Sequence, residues 1–84
     1  MSNFAFADVR AARFDAARFV NCAKQYDGTK VKVQRLDGEK QVDAKSLLGV
    51  LSLDLKGKDV RILVCGVNQS KNQEIANKLA ELIA

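Results

Sequence analysis

The 84 residues include no histidine, no proline and no tryptophan. Without an imidazole there is no histidine-based acid-base pair, no histidine triad and no histidine metal ligand. With no proline and only five scattered glycines, the chain lacks the composition of a disordered linker. No run is long and apolar enough to span a bilayer. The opening MSNFAFADVR has no basic start, apolar centre and small-residue cleavage site, so no signal peptide is expected and the expected location is the cytoplasm. Cysteine is scarce too. Cys22 and Cys65 match no metal or redox spacing and are expected to be buried thiols acting as small hydrophobes. No glycine-rich phosphate loop occurs, no carboxylate pair is set by spacing, and neither a metal nor a cofactor is expected.

What the chain does have is apolar residues, 48% of the total, and a net charge of +4. An 84-residue chain is read as one domain, residues 1–84, small enough to need an efficient core. The positive excess is spread among acids, which fits a solvated surface better than a nucleic-acid footprint.

The most apolar stretch is AKSLLGVLSLDL, residues 44–55. Leu47 and Leu51 fall on one helical face, with Leu48 three residues before Leu51. Ser46 precedes them at an N-cap position, where its oxygen accepts an orphan backbone N–H. Taken alone, Ser46 is a cap and the leucines are core.

The remaining elements follow from periodicity. Phe4 and Phe6 alternate with Ala5 and Ala7, a strand over residues 3–8, and residues 9–14 are irregular. Asp15 caps a helix to about residue 25, with Ala16, Phe19, Val20 and Ala23 on its apolar face. Gly28 suits a left-handed helix end. Residues 29–36 alternate with Val31 and Val33 on one face, Asp37-Gly38 is a hairpin turn, and residues 39–43 return. The helix headed by Ser46 runs to about Leu53, weakened by about 1 kcal/mol at Gly49. Residues 59–67, DVRILVCGV, form an interior strand. Ser70 with Gln73 makes a capping-box pattern for a last helix with Ile75, Ala76, Leu79, Leu82 and Ile83 along one stripe. The order is β-α-β-β-α-β-α, an α+β chain with helices on one face of a mostly antiparallel four-stranded sheet. RNA readers of similar order carry aromatics on their central strands. Residues 31–36 and 60–67 carry none, so direct nucleic-acid binding is not expected.

AKSLLGVLSL resembles the segment around the regulatory serine of the histidine-containing phosphocarrier protein (HPr) family of the bacterial sugar phosphotransferase system. AARFV at residues 16–20 is similar to the start of that family's first helix, and Lys24-Gln25-Tyr26-Asp27 to its end. The resemblance implies an HPr-like open-faced β-sandwich. It also implies a departure. The family takes phosphate on a histidine just before the first helix, within a Gly-Leu-His-Thr-Arg-Pro-like motif, where this chain reads VRAARFDAARFV. Ala12 falls at the histidine position, Phe14 at the arginine and Asp15 at the proline, with Arg13 adjacent. An alanine offers no nucleophile, so relay through phosphohistidine is not expected.

The serine half of the family's behaviour then remains. Ser46 matches the serine modified by the HPr kinase/phosphorylase, and Leu47, Leu48 and Leu51 hold the positions that contact that kinase and a LacI-type catabolite control repressor. Arg13 and Phe14 join the expected partner surface. The expected role is regulatory, a kinase substrate and not an enzyme, with other phosphotransferase-system proteins as further partners. The alternative is a drifted paralogue in which Ser46 is only a cap and Arg10, Arg13 and Arg18 form a surface for an acidic partner.

Overall fold

The structure, a computed structural model, describes residues 3–84. Its centre is the strand β4 (Asp59–Gly66), which lies between β1 (Asn3–Arg10) and β2 (Lys30–Arg35). The short β3 (Gln41–Asp43) follows, giving the order β1-β4-β2-β3 with every pairing antiparallel. The expected interior position of residues 59–67 therefore holds. β4 alternates strictly, burying Val60, Ile62 and Val64. Ala5 of β1 and Val31 and Val33 of β2 point to the same side.

Three helices cover that side: α1 (Ala16–Lys24), α2 (Leu47–Leu51) and α3 (Gln69–Ile83). They contribute Phe19, Val20 and Ala23, then Val50, then Ile75, Ala76, Leu79 and Ile83 to one buried cluster. The α+β order and the one-sided helix layer are as the sequence implies. Asp15 caps α1 by accepting from the Arg18 N–H at 3.2 Å, and Gly28 takes the left-handed conformation at φ 80°.

Four expectations are corrected. β1 continues through Val9 and Arg10, because those residues pair with Val60 and Asp59; the irregular stretch begins only at Ala11. α3 is capped by Asn68, whose side chain accepts from the Lys71 N–H at 3.0 Å, not by Ser70, which lies inside the helix. Cys22 and Cys65 are half-buried and not joined to each other: Cys65 sits on the outer side of β4, away from the helices, and Cys22 borders an open cleft. Leu47, Leu48 and Leu51 are exposed, which corrects only the core role read from the stretch taken alone, and the core below them is filled by Val50, Leu53 and Leu55.

Asn72 is the one buried polar side chain among the described residues. It donates to the carbonyls of Asn3 and Gly66 at 3.1 and 3.0 Å, locking the end of the β1–β4 ladder. Gly66 leaves room for this: a Cβ there would stand 2.8 Å from Asn72 Oδ1.

Candidate functional site

Ser46 occupies the N-cap of α2 in an extended conformation, with its Oγ accepting from the Gly49 N–H at 3.2 Å. It is half-buried. The helix is short because its ladder is short: Val50 N–H donates to Ser46 O, and Ser52 N–H to Leu48 and Gly49 O. Asp54, in the left-handed region at φ 51°, turns the chain away. A Cβ at Gly49 would lie 3.4 Å from both Ser46 Oγ and Val42 Cβ, an ordinary van der Waals contact.

The charges around Ser46 are already engaged. Lys45 turns its Nζ to the carbonyls of Tyr26 and Thr29 at 2.8 and 2.7 Å. Asp43 accepts from the Lys45 N–H at 2.8 Å, and the first turn of α2 holds no acidic residue. The acid nearest the helix start is thus Asp43, which lies ahead of the cap and not within the first turn.

Beyond the cap lie the leucines. Leu48 is 83% exposed, Leu51 57% and Leu47 43%. Such a cluster on so small a chain is more than scattered surface hydrophobicity. Phe14 extends it. Its ring packs at a tilt on Phe19 with centroids 5.5 Å apart, and it shares with Leu51, Ala16 and Leu55 a cleft of about 240 Å³ between the start of α1 and the end of α2.

Arg13 does not join that patch. Its backbone N–H donates to Ile83 O at 3.0 Å and its Nε to Ala84 O at 3.3 Å. It lines a different cleft, of about 400 Å³, with Arg18, Cys22, Lys78 and Glu81. Arg10 is elsewhere again, 3.8 Å from Asp59. Of the partner-facing residues read from sequence, then, the fold displays Leu47, Leu48 and Leu51 on α2 and brings Phe14 beside Leu51, and it separates Arg10 and Arg13 from them.

Ala12 is exposed between these two regions. The segment around it is fastened on both sides: Ala11 N–H donates to Lys58 O at 2.8 Å and Gly57 N–H to Ala11 O at 2.7 Å, and Arg13 N–H donates to Ile83 O. A methyl group on a pinned loop can neither attack phosphorus nor carry a phosphoryl group. Among the described residues there is no cluster of groups able to hold a metal ion, and no helix is long and apolar enough to cross a membrane.

A family model described as the phosphotransferase-system HPr component phosphorylation site matches residues 11–84. A solved phosphocarrier protein HPr from Bacillus anthracis superposes with a TM-score of 0.79 at 23% identity, over 96% of this chain and 98% of that one. HPr-C-His from Thermoanaerobacter tengcongensis does so with a TM-score of 0.69 at 21% identity, over 92% and 91%. At these identities the likeness to the solved structures is one of fold. No curated protein sequence matches the chain significantly.

Proposed function

The chain belongs to the HPr family of the phosphotransferase system, and from that membership we propose that it is a regulatory or adaptor member that relays no phosphate through histidine and is controlled at Ser46. The observation that carries this reading is the Ser46 hydroxyl at the head of an exposed leucine patch, in a chain with no histidine to serve as the carrier residue.

In this reading a cytoplasmic HPr kinase/phosphorylase grips the patch of Leu47, Leu48 and Leu51. Ser46 Oγ attacks the γ-phosphorus of ATP, the bond to ADP breaks, and the hydroxyl proton passes to a base of the kinase. The product carries about −1.5 to −2 charge and three acceptor oxygens at the start of α2. A LacI-type repressor with a basic surface then reads phosphate and leucines together: the apolar side chains supply buried area and the phosphate supplies charge-assisted hydrogen bonds. Phe14 widens the apolar contact. The protein is a substrate and a docking partner here, not a catalyst.

The test is incubation with ATP and a purified HPr kinase/phosphorylase, followed by intact mass. The parent gains one phosphoryl group, and Ser46→Asn, which keeps a capping side chain but has no hydroxyl, gains none. A folded parent that stays unmodified and binds no phosphotransferase-system protein overturns the reading.

A second reading has one observation in its favour. Arg13, Arg18 and Lys78 border a single cleft, with Glu81 as the acid beside them. A drifted paralogue could seat an acidic partner there. Salt-sensitive binding lost in Arg13→Ala and Arg18→Ala, and indifferent to Ser46→Asn, would select it.

A further inference from the structure

The helices cover one side of the sheet, and among the described residues no element lies over the other side. Across the β1–β4 pair, Phe4 lies opposite Cys65 and Phe6 opposite Leu63. Across the β4–β2 pair, Lys30 lies opposite Cys65 and Lys32 opposite Leu63. The outer surface is therefore an apolar column with two lysines along its flank. Phe4 is 63% exposed and Phe6 48%. A hollow of about 240 Å³ opens here, lined by Phe4, Leu63, Cys65, Lys30, Lys32 and Gln41.

Charge says what fits it. The two arginines on this surface are matched. Arg61 donates to both carboxylate oxygens of Asp8 at 2.7 and 2.9 Å, and Arg10 stands 3.8 Å from Asp59. Asp43, opposite Lys32 in register, accepts from the Lys45 N–H. Lys30 and Lys32 make no ion pair with any described residue. Lys30 has no acid opposite it, and Lys32 has Asp43 as its cross-strand neighbour without a close ion pair, so two lysines beside an apolar hollow call for a surface that is apolar and anionic.

The backbone narrows the geometry. The free edge of β1 is closed by amides of α3: Gln69 Nε2 donates to Phe4 O at 2.9 Å and Gln73 Nε2 to Phe6 O at 3.2 Å. Adding a strand at that edge would break these bonds, and the opposite edge, β3, offers only three residues to pair with, so an incoming chain is read by side chains across the face. Alternate residues of an extended chain are about 7 Å apart, the spacing of Lys30 and Lys32 along β2. We propose that this open face binds an extended acidic segment of a protein partner, with two carboxylates two residues apart on Lys30 and Lys32 and a neighbouring apolar side chain of the same face in the hollow by Phe4.

Other occupants fit less well. Single-stranded nucleic acid binds such faces by stacking bases on free rings, but the Arg61 guanidinium lies 4.5 Å from the Phe6 ring centre, leaving Phe4 alone. A second copy of the chain brings to this face carboxylates of Asp8 and Asp59 that already face arginines.

The test stands apart from the α2 patch and from Ser46. A fluorescein-labelled peptide with glutamates at alternate positions and a phenylalanine in the same register is titrated with the full chain, and anisotropy is read. Saturable binding is expected, weakened by added salt. The double variant Lys30→Glu/Lys32→Glu should bind about tenfold more weakly, the sum of two reversed exposed pairs. Phe4→Ala should weaken binding too, and amide shifts should move at Phe4, Leu63 and Cys65. All three substituted positions are exposed, and far-UV circular dichroism checks that the fold is kept. The proposal is overturned by absence of saturable binding to the folded parent, or by unchanged affinity in the double variant. It is equally overturned by a single-stranded oligonucleotide that displaces the peptide at equal concentration, or by self-association that Phe4→Ala abolishes.

Discussion

Substituting Ser46 separates its structural work from its proposed switching. In the parent, Ser46 Oγ accepts from the Gly49 N–H at 3.2 Å, and α2 has only five residues to share the loss if that bond goes. Ser46→Ala leaves the Gly49 N–H to water and costs about 1 kcal/mol, the usual value of a serine cap. For a domain of this size that lowers the melting temperature by about 4–8 °C. Ser46→Asn keeps a capping acceptor and should stay within about 2 °C of the parent. Ser46→Asp keeps the cap and adds a negative charge at a helix start with no acid in its first turn, a gain of about 0.3–1 kcal/mol at neutral pH and low salt. The sign with pH follows. The helix end lowers the folded-state pKa of the introduced carboxyl, so its gain is complete above the unfolded value of about 3.9 and disappears as pH falls through the folded value. Thermal melts of the four proteins by circular dichroism at pH 7 and pH 3 decide the matter. A Ser46→Ala protein that melts within about 1 °C of the parent would refute the cap.

Two further outcomes are expected. Gly66→Ala alone is destabilising because its Cβ meets Asn72 Oδ1 at 2.8 Å. In an Asn72→Ala background that contact is gone and the same change should cost at least about 1 kcal/mol less; urea midpoints of the four-protein cycle check this, and additive effects would refute it. The hydrogen bond from Arg61 holds the Asp8 carboxyl below its ordinary value of 3.8, against the opposing effect of burial. The pair therefore stabilises the fold above about pH 4, and its contribution is lost as pH falls through the lowered value. The stability gap between parent and Asp8→Asn should accordingly be widest at neutral pH and close toward pH 2; a gap independent of pH would refute the assignment.

Much of the architecture is legible in the sequence, because period-2 valines, the Asp37-Gly38 turn and the Asp15 and Ser46 caps each carry local physics that the fold obeys. The failures arise where two local signals compete or where direction matters. Residues 68–73 offer two caps, and Asn68 wins over Ser70 because the strand before it ends two residues earlier, at Gly66. β1 alternates as expected, but it buries its alanine and exposes its phenylalanines, since large helix side chains already fill the space beneath. The spacing of Leu47, Leu48 and Leu51 is compatible with a core face or a displayed one, and only the position of Val50, Leu53 and Leu55 decides it. Asn72 gave no signal, since a polar residue in an amphipathic helix reads as solvent-facing. The open-face hollow was equally hidden, because it depends on the register of three strands.

The pairing of β1 with β4 also sets an order of events in the cell. β1 leaves the ribosome before the strand it pairs with, which begins at Asp59, and the Arg13 side chain waits for a carbonyl 71 residues away. Contacts this distant in sequence close late and slow the folding of a small chain. While β2, β3 and the first two helices are being made, Phe4 and Phe6 trail from the ribosome on an unpaired strand, the kind of exposed edge on which nascent chains aggregate. The sheet is completed through its middle, when β4 slides in between β1 and β2, so it stays open until the chain has been made through Gly66.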